Sequence, residues 1–125
     1  MSHPLYHAKS SVKKHGGVEE DYLEVHEWFD ESKRSFADSR HRALRHHAEG
    51  IFHCEEQFGV TIINSNGKEV PVRLLGEQHV REDLGCIPSI ADWFRLMPLK
   101  PWMDTPQKLS KVFANDTVEV VATGK

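Results

Sequence analysis

The sequence predicts an α+β domain, mostly helical, with a two-helix scaffold followed by a β-hairpin, short helices and a C-terminal strand. Apolar residues recur at helical spacing through the first half of the chain, alternating short apolar runs around a polar glycine-containing turn replace them after Gly59, and glycines and prolines then punctuate the remainder. At 125 residues the chain fits one domain with a real core. We read residues 1–103 as a single histidine-rich domain and 104–125 as a C-terminal extension.

Tyr22, Val25, Phe29 and Phe36 define one buried stripe of a helix over Glu19–Ala37, after a Gly16-Gly17 turn and with Glu19, Glu20 and Asp21 at the positive end of its dipole. Asp38-Ser39 then supplies a cap for a second helix running to Gln57, with Gly59 as its C-terminal signal. Val60–Ile63 and Lys68–Leu75 read as hairpin strands around Asn64-Ser65-Asn66-Gly67, and Pro71 places the second strand on an edge. Glu77–Leu84 follows as a short helix closed by Gly85. Pro88-Ser89, with Asp92 completing a capping box, starts another through Trp93 and Met97. A last candidate strand is Thr117–Ala122, beyond a proline-rich connector. It is expected to pair with the hairpin, within the chain or in a twofold partner, which favours a homodimer.

The net charge of −3 lacks the basic field of a non-specific nucleic-acid binder. The N-terminus mixes Lys9, Lys13 and Lys14 with Ser10 and Ser11 and has no apolar run, so neither a signal peptide nor a membrane anchor is expected and the reading is cytoplasmic. Cys54 and Cys86, two cysteines without CxxC spacing, are expected to be small buried hydrophobes.

Histidine carries the chemistry. Residues 40–53 hold His41, His46, His47 and His53 with Arg40, Arg42 and Arg45, and imidazole binds divalent metals while guanidinium grips anionic oxygens. On one continuous helix turning about 100° per residue, Leu44, Ala48, Ile51 and Phe58 form the buried stripe. His47 falls inside it, His41 lies at its edge, and His46 and His53 point away. His26 sits beside Tyr22 and Phe29 on the first helix, so packing of the two stripes would bring His26 and His47 together. His26/Asp30 and His79/Asp83 are each spaced i, i+4 and share helix faces. His26, Asp30, His47, His79 and Asp83 therefore form the candidate ligand pool for a divalent transition metal: zinc, manganese, iron or nickel. His7, His41, His46 and Glu49 are candidates to orient those ligands from behind, and Lys9, Ser10, Arg42 and Arg45 to bind an anion. GxSxG, GxGxxG, HExxH and phosphate-loop patterns are all missing, which removes most familiar enzyme classes.

The segments YHAKSSVKKHGG, FADSRHRALRHHAEGIF, GVTIINSNGKEVPVR and GEQHVREDLGCIPSIADWF resemble a small uncharacterised family of bacterial and bacteriophage proteins, a domain of unknown function, over about Tyr6 to Met103. The resemblance implies a cytoplasmic, phage-associated setting and carries over no catalytic residue. A weaker analogy is to HD-type metal phosphohydrolases, with the departure that no His-Asp dipeptide occurs in the chain.

The leading expectation is a small metal-binding domain, a divalent-metal-dependent hydrolase of a phosphorylated or nucleotide-like substrate. The rival is a non-catalytic interaction module, such as a phage-encoded inhibitor of a host system, in which the histidines are structural and Trp93, Phe94, Trp102 and Met103 meet a protein partner.

Overall fold

A computed structural model describes residues 3–108. The chain divides into two compact units, Met1–Phe94 and Arg95–Lys125. The first unit carries α1 (Pro4–His15), α2 (Glu20–Asp30), α3 (Ala48–Phe58), β1 (Thr61–Ile63), β2 (Glu69–Pro71), α4 (Val72–Leu84) and α5 (Ile90–Phe94). Two 3-10 segments, Glu31–Arg34 and Ser39–Leu44, lie between α2 and α3. In the second unit the described residues include the 3-10 turn Pro101–Met103, where the Lys100 N–H donates to Met103 Sδ at 3.4 Å. The expected strand Thr117–Ala122 lies outside the described residues. The α+β class, with helices dominant and one antiparallel hairpin, is the observed one.

The helix α1 escaped the sequence reading because its buried face is polar: His7, Ala8 and Ser11. Its ends are well signalled nonetheless. The His3 side chain accepts from the Leu5 N–H at 3.1 Å, Pro4 occupies the first turn, and Lys13, Lys14 and His15 lie at the negative end of the dipole. α2 buries Tyr22, Val25 and Phe29 as expected, but it stops at Asp30 and tightens into a 3-10 turn. Phe36 therefore misses the core and is exposed, with the Arg40 guanidinium 4.6 Å from its ring centre.

The expected continuous helix from Ser39 to Gln57 is broken at Arg45–His47. Asp38 accepts from the Arg40 N–H at 2.8 Å and caps only the 3-10 segment, and His47 then becomes fully extended (φ −164°, ψ 175°). His47 restarts the helix as the cap of α3, its Nδ1 accepting from the Gly50 N–H at 2.9 Å. The break resets the helical phase. His46 is buried rather than outward, Leu44 is exposed rather than buried, and Ile51 and Cys54 form the core face of α3. Cys54 is fully buried, whereas Cys86 is exposed, contrary to expectation.

The hairpin pairs Thr61 with Pro71, Ile62 with Val70 and Ile63 with Glu69. Its turn is tied to the helices by Asn64, whose Oδ1 accepts from the Asn66 and Lys68 N–H groups while its Nδ2 donates to the His15 carbonyl and the Tyr22 hydroxyl oxygen. The second strand is shorter than expected. From Val72 onward the buried residues Val72, Leu75, Gly76, His79 and Val80 follow helical spacing, and α4 absorbs the second half of the predicted strand. Pro71 has no N–H for the ladder and stands at the strand-to-helix junction. The core joins Tyr22, Val25, Phe29, Ile51, Cys54, Val70, Val72, Leu75 and Val80. Gly76 lets α4 approach closely, since a Cβ there would lie 3.2 Å from both Phe29 Cζ and Ile51 Cγ2. Among the described residues, no helix is long and apolar enough to cross a membrane.

At Gly50 a Cβ would collide with the Arg45 carbonyl, where the chain doubles back into α3. Gly50→Ala should therefore lower stability by about 3 kcal/mol, read as the urea midpoint. A midpoint within error of wild type would show that this turn relaxes freely.

Candidate metal centre

Three helices and the broken segment deliver imidazoles and carboxylates to one interior point. His7 comes from α1, His26 and Asp30 from α2, His79 and Asp83 from α4, and His46 from the break before α3. The helical i, i+4 spacing explains two of these pairs, because α2 and α4 turn the same faces inward that carry Phe29 and Leu75. His46 arrives by another route: its ring sits edge-on to Phe29 and to His79, at centroid distances of 5.7 and 5.1 Å.

Asp83 is the hub. Its Oδ2 lies 2.9 Å from His46 Nε2 and 3.3 Å from His79 Nε2, and its Oδ1 lies 3.2 Å from His7 Nε2 and 3.7 Å from the Arg42 guanidinium. Asp30 Oδ1 faces the same two imidazoles, 3.7 Å from His46 Nε2 and 3.6 Å from His79 Nε2. Asp30, His46, His79 and Asp83 each offer one donor atom within 4.8 Å of the others, and His7, His26 and His79 form a second such group. Several of these atoms are buried without an aligned hydrogen bond: both oxygens of Asp30, Oδ1 of Asp83, and Nε2 of His7 and His79. The 3.2 Å approach of His7 to Asp83 is thus a close charge contact and not an aligned bond.

The electrostatics follow from burial set against these neighbours. Burial, then the His79 and His7 imidazoles, push His26 down to about 2. Burial also lowers His46, overriding the opposing pull of Asp83. For Asp83 burial acts upward, but the hydrogen bond with His46 and the close His7 and His79 imidazoles hold the carboxyl far below the ordinary range. Asp30 is likewise held low, against burial, by His79. His7 goes the other way: burial lowers it, but Asp83 and Glu82 outweigh that and raise it. Glu82 accepts from His7 Nδ1 at 2.7 Å and from the Ser10 hydroxyl at 2.6 Å.

The other candidate residues are placed elsewhere. His47 is fully buried as the cap of α3, its Nε2 3.0 Å from the Ala43 carbonyl, and it lies outside both donor groups. Its expected contact with His26 depended on an unbroken helix; His26 lies against His79 and Ser11, and His46 rather than His47 joins a donor group. His41 pairs with the Ser32 hydroxyl at 2.8 Å, its ring edge-on to His46. Glu49 accepts from the Ile90 N–H at 2.9 Å and so anchors α5, where Ser89 and Asp92 form the expected reciprocal cap. Trp93 donates its indole N–H to the His46 carbonyl at 3.1 Å. Of the anion-binding candidates, Arg42 alone reaches the cluster. Arg45 stacks 4.0 Å over the Trp28 ring and pairs with Glu31 at 3.0 Å, Ser10 is engaged by Glu82, and Lys9 is exposed on α1.

Fold and site together define an α+β domain with a buried histidine–aspartate cluster whose donor groups could hold a metal ion. A family profile described as a domain of unknown function (DUF6915) matches residues 2–103, and the chain belongs to that family. No curated protein and no solved structure matches it.

The direction of each shift sets the acid response of metal-free protein. His26 and His46 are depressed below their ordinary value of 6.5, so the unfolded chain binds the extra protons and their contribution to stability falls as pH drops below about 6.5. His7, raised, works oppositely: its contribution is present below 6.5 and is lost as pH rises through its folded value. His15, His41 and His47 are lowered as well, chiefly by burial, so five imidazoles oppose one, and the His26 shift is large. The carboxylates Asp30 and Asp83 lose their contribution later, as pH falls from about 3.8 through their lowered folded values. Chelator-treated protein should lose stability on acidification first below pH 6.5 and again below pH 4, as measured by denaturant midpoints. A midpoint that is flat from pH 7 to 5 would contradict this assignment.

Proposed function

We propose that the protein holds one divalent transition metal between Asp30, His46, His79 and Asp83 and uses it to activate water against a phosphorylated or nucleotide-like substrate. The observation that carries the metal is geometric. Donor atoms 2.0–2.2 Å from a common ion lie about 3.3–3.6 Å apart in a tetrahedron and about 2.8–3.1 Å apart at octahedral right angles. The four carboxylate–imidazole separations in this cluster run from 2.9 to 3.7 Å, and all four donor atoms lie within 4.8 Å of one another. An ion there would also partner the Asp30 oxygens and His79 Nε2, which lack any aligned bond.

Two imidazoles and two carboxylates suit manganese, iron, nickel or zinc. In six-coordination they leave two positions, one for a water made acidic by the metal and one for a substrate oxygen. The buried Arg42, beside Asp83 and with its Nε unpartnered, is the cation nearest those positions and would face a phosphoryl oxygen. The second reading is a closed structural zinc in a non-catalytic interaction module. It is favoured by one fact: the four ligand side chains are 6% exposed or less.

The test begins with untagged protein, chelated and then titrated with manganese, iron, nickel or zinc. One equivalent should bind, and at a free concentration of 100 times Kd stability should rise by about 2.7 kcal/mol. Asp83→Ala should abolish both effects. Unchanged melting temperatures with every metal would sink the centre itself. Hydrolysis of bis-p-nitrophenyl phosphate by the manganese or iron form, lost in Arg42→Met, would support the catalytic reading. A four-coordinate zinc form with no turnover would leave the structural one.

A further inference from the structure

His79 joins the two donor groups, and the state of its ring follows from a chain of hydrogen bonds that ends outside the metal position. Its Nε2 faces Asp30 and Asp83, while its Nδ1 lies 3.0 Å from Nδ1 of His26. Two facing ring nitrogens at that distance need one proton between them. Which ring carries it is decided two residues further back.

Gln78 donates from Nε2 to the His7 carbonyl at 2.9 Å and to Glu82 at 3.1 Å, so its Oε1 is turned toward Ser11 and needs a donor. Ser11 supplies it: Oγ lies 2.9 Å from Gln78 Oε1, with the His7 carbonyl, another pure acceptor, at 3.0 Å. A hydroxyl has a single proton, and here it goes to an oxygen. Ser11 Oγ must then accept from His26 Nε2, which lies 2.8 Å away. His26 therefore carries its proton on Nε2 and presents a lone pair at Nδ1. His79 must donate to that lone pair from Nδ1, so in the neutral ring that a metal binds its own Nε2 is bare.

We propose that Gln78, Ser11 and His26 form a proton-ordered relay that fixes His79 as the Nδ1–H tautomer and aims its Nε2 lone pair into the metal position. This makes His26 a positioning residue and not a ligand. A bare nitrogen facing two carboxylates repels them, and only a cation between the three turns that repulsion into binding. Ligating imidazoles are held in this way by an acceptor on the far nitrogen, and losing that acceptor costs about 10–100-fold in metal affinity. Without His26 the ring is free to place its proton on Nε2 and donate it to Asp83, which competes with the metal. The inference rests on the proposed metal centre for its purpose, although the tautomer can be read without any metal.

Long-range 1H–15N correlation spectra of metal-free protein should show His79 protonated at Nδ1 and His26 at Nε2. A neutral His79 protonated at Nε2 alone, with Nδ1 bare, would overturn the relay outright. Zinc affinity, measured by competition with a chromophoric chelator, should fall about 10–100-fold in His26→Leu. It should recover in His26→Asn, whose carboxamide oxygen takes the place of Nδ1. Ser11→Ala, a smaller change on the α1 face, should weaken zinc in the same direction in a chain whose metal-free melting confirms folding. Equal zinc affinity in wild type, His26→Leu and Ser11→Ala would remove the relay and leave the metal centre standing. The predicted tautomers in a wild-type chain that takes up no zinc would keep the relay and remove the centre.

Discussion

The carboxylate of Asp83, sealed among imidazoles, is the constraint around which the first unit is arranged. An isolated anion in such a position is strongly unfavourable, so the fold has to surround it with donors or cations. It does so from every direction: His7 from α1, His46 from the break before α3, His79 from one turn back on its own helix, and Arg42 from the 3-10 segment. That demand accounts for features which look irregular on their own. A polar face on α1, a helix interrupted in mid-sequence and a glycine forced against a carbonyl all serve to bring nitrogen atoms to one buried oxygen pair.

The apolar core and the polar cluster share the same helices. Phe29, a core residue, stacks 4.7 Å from the His79 ring, and Leu75 and Val80 flank His79 along α4. The hydrophobic residues thus fix helix positions to the accuracy that coordination demands, and they exclude the water that would otherwise weaken each charge contact. Asn64 extends the arrangement to the hairpin by bonding both to its own turn and to Tyr22 on α2.

How much of this was legible depended on whether local spacing or chain reversal made the contact. His26/Asp30 and His79/Asp83 share faces because helices do form at α2 and α4, and a helix places i and i+4 together whatever the tertiary fold. Tyr22, Val25 and Phe29 were equally readable from periodicity. The position of His46 was not, since it follows from the stop at Arg45 and the extended backbone of His47, and a histidine that serves as a helix cap has no distinct sequence mark. One signal was available: Gly50 in the first turn of α3 is a poor helix residue and marks the close approach behind it. The burial of α1 was hidden too, because His7 and Ser11 pack through hydrogen bonds to residues 75 and 67 positions away. The helical reading of Val72–Leu75 lost to β-propensity at a site where burial spacing decides.

Those long separations also govern how the domain comes into being. During synthesis α1, α2 and the His46 segment emerge first, with ring nitrogens and a carboxylate already turned toward a space that has no occupant. The hub arrives only when α4 has left the ribosome, some forty residues after His46, and closing so long a loop is the slow, entropically opposed kind of step. Until then the N-terminal half has little reason to hold together, because its polar faces are without the groups that match them. The domain is therefore expected to assemble late and as a whole, and a chain cut short before Asp83 would reach the cell's quality-control machinery as an open polypeptide.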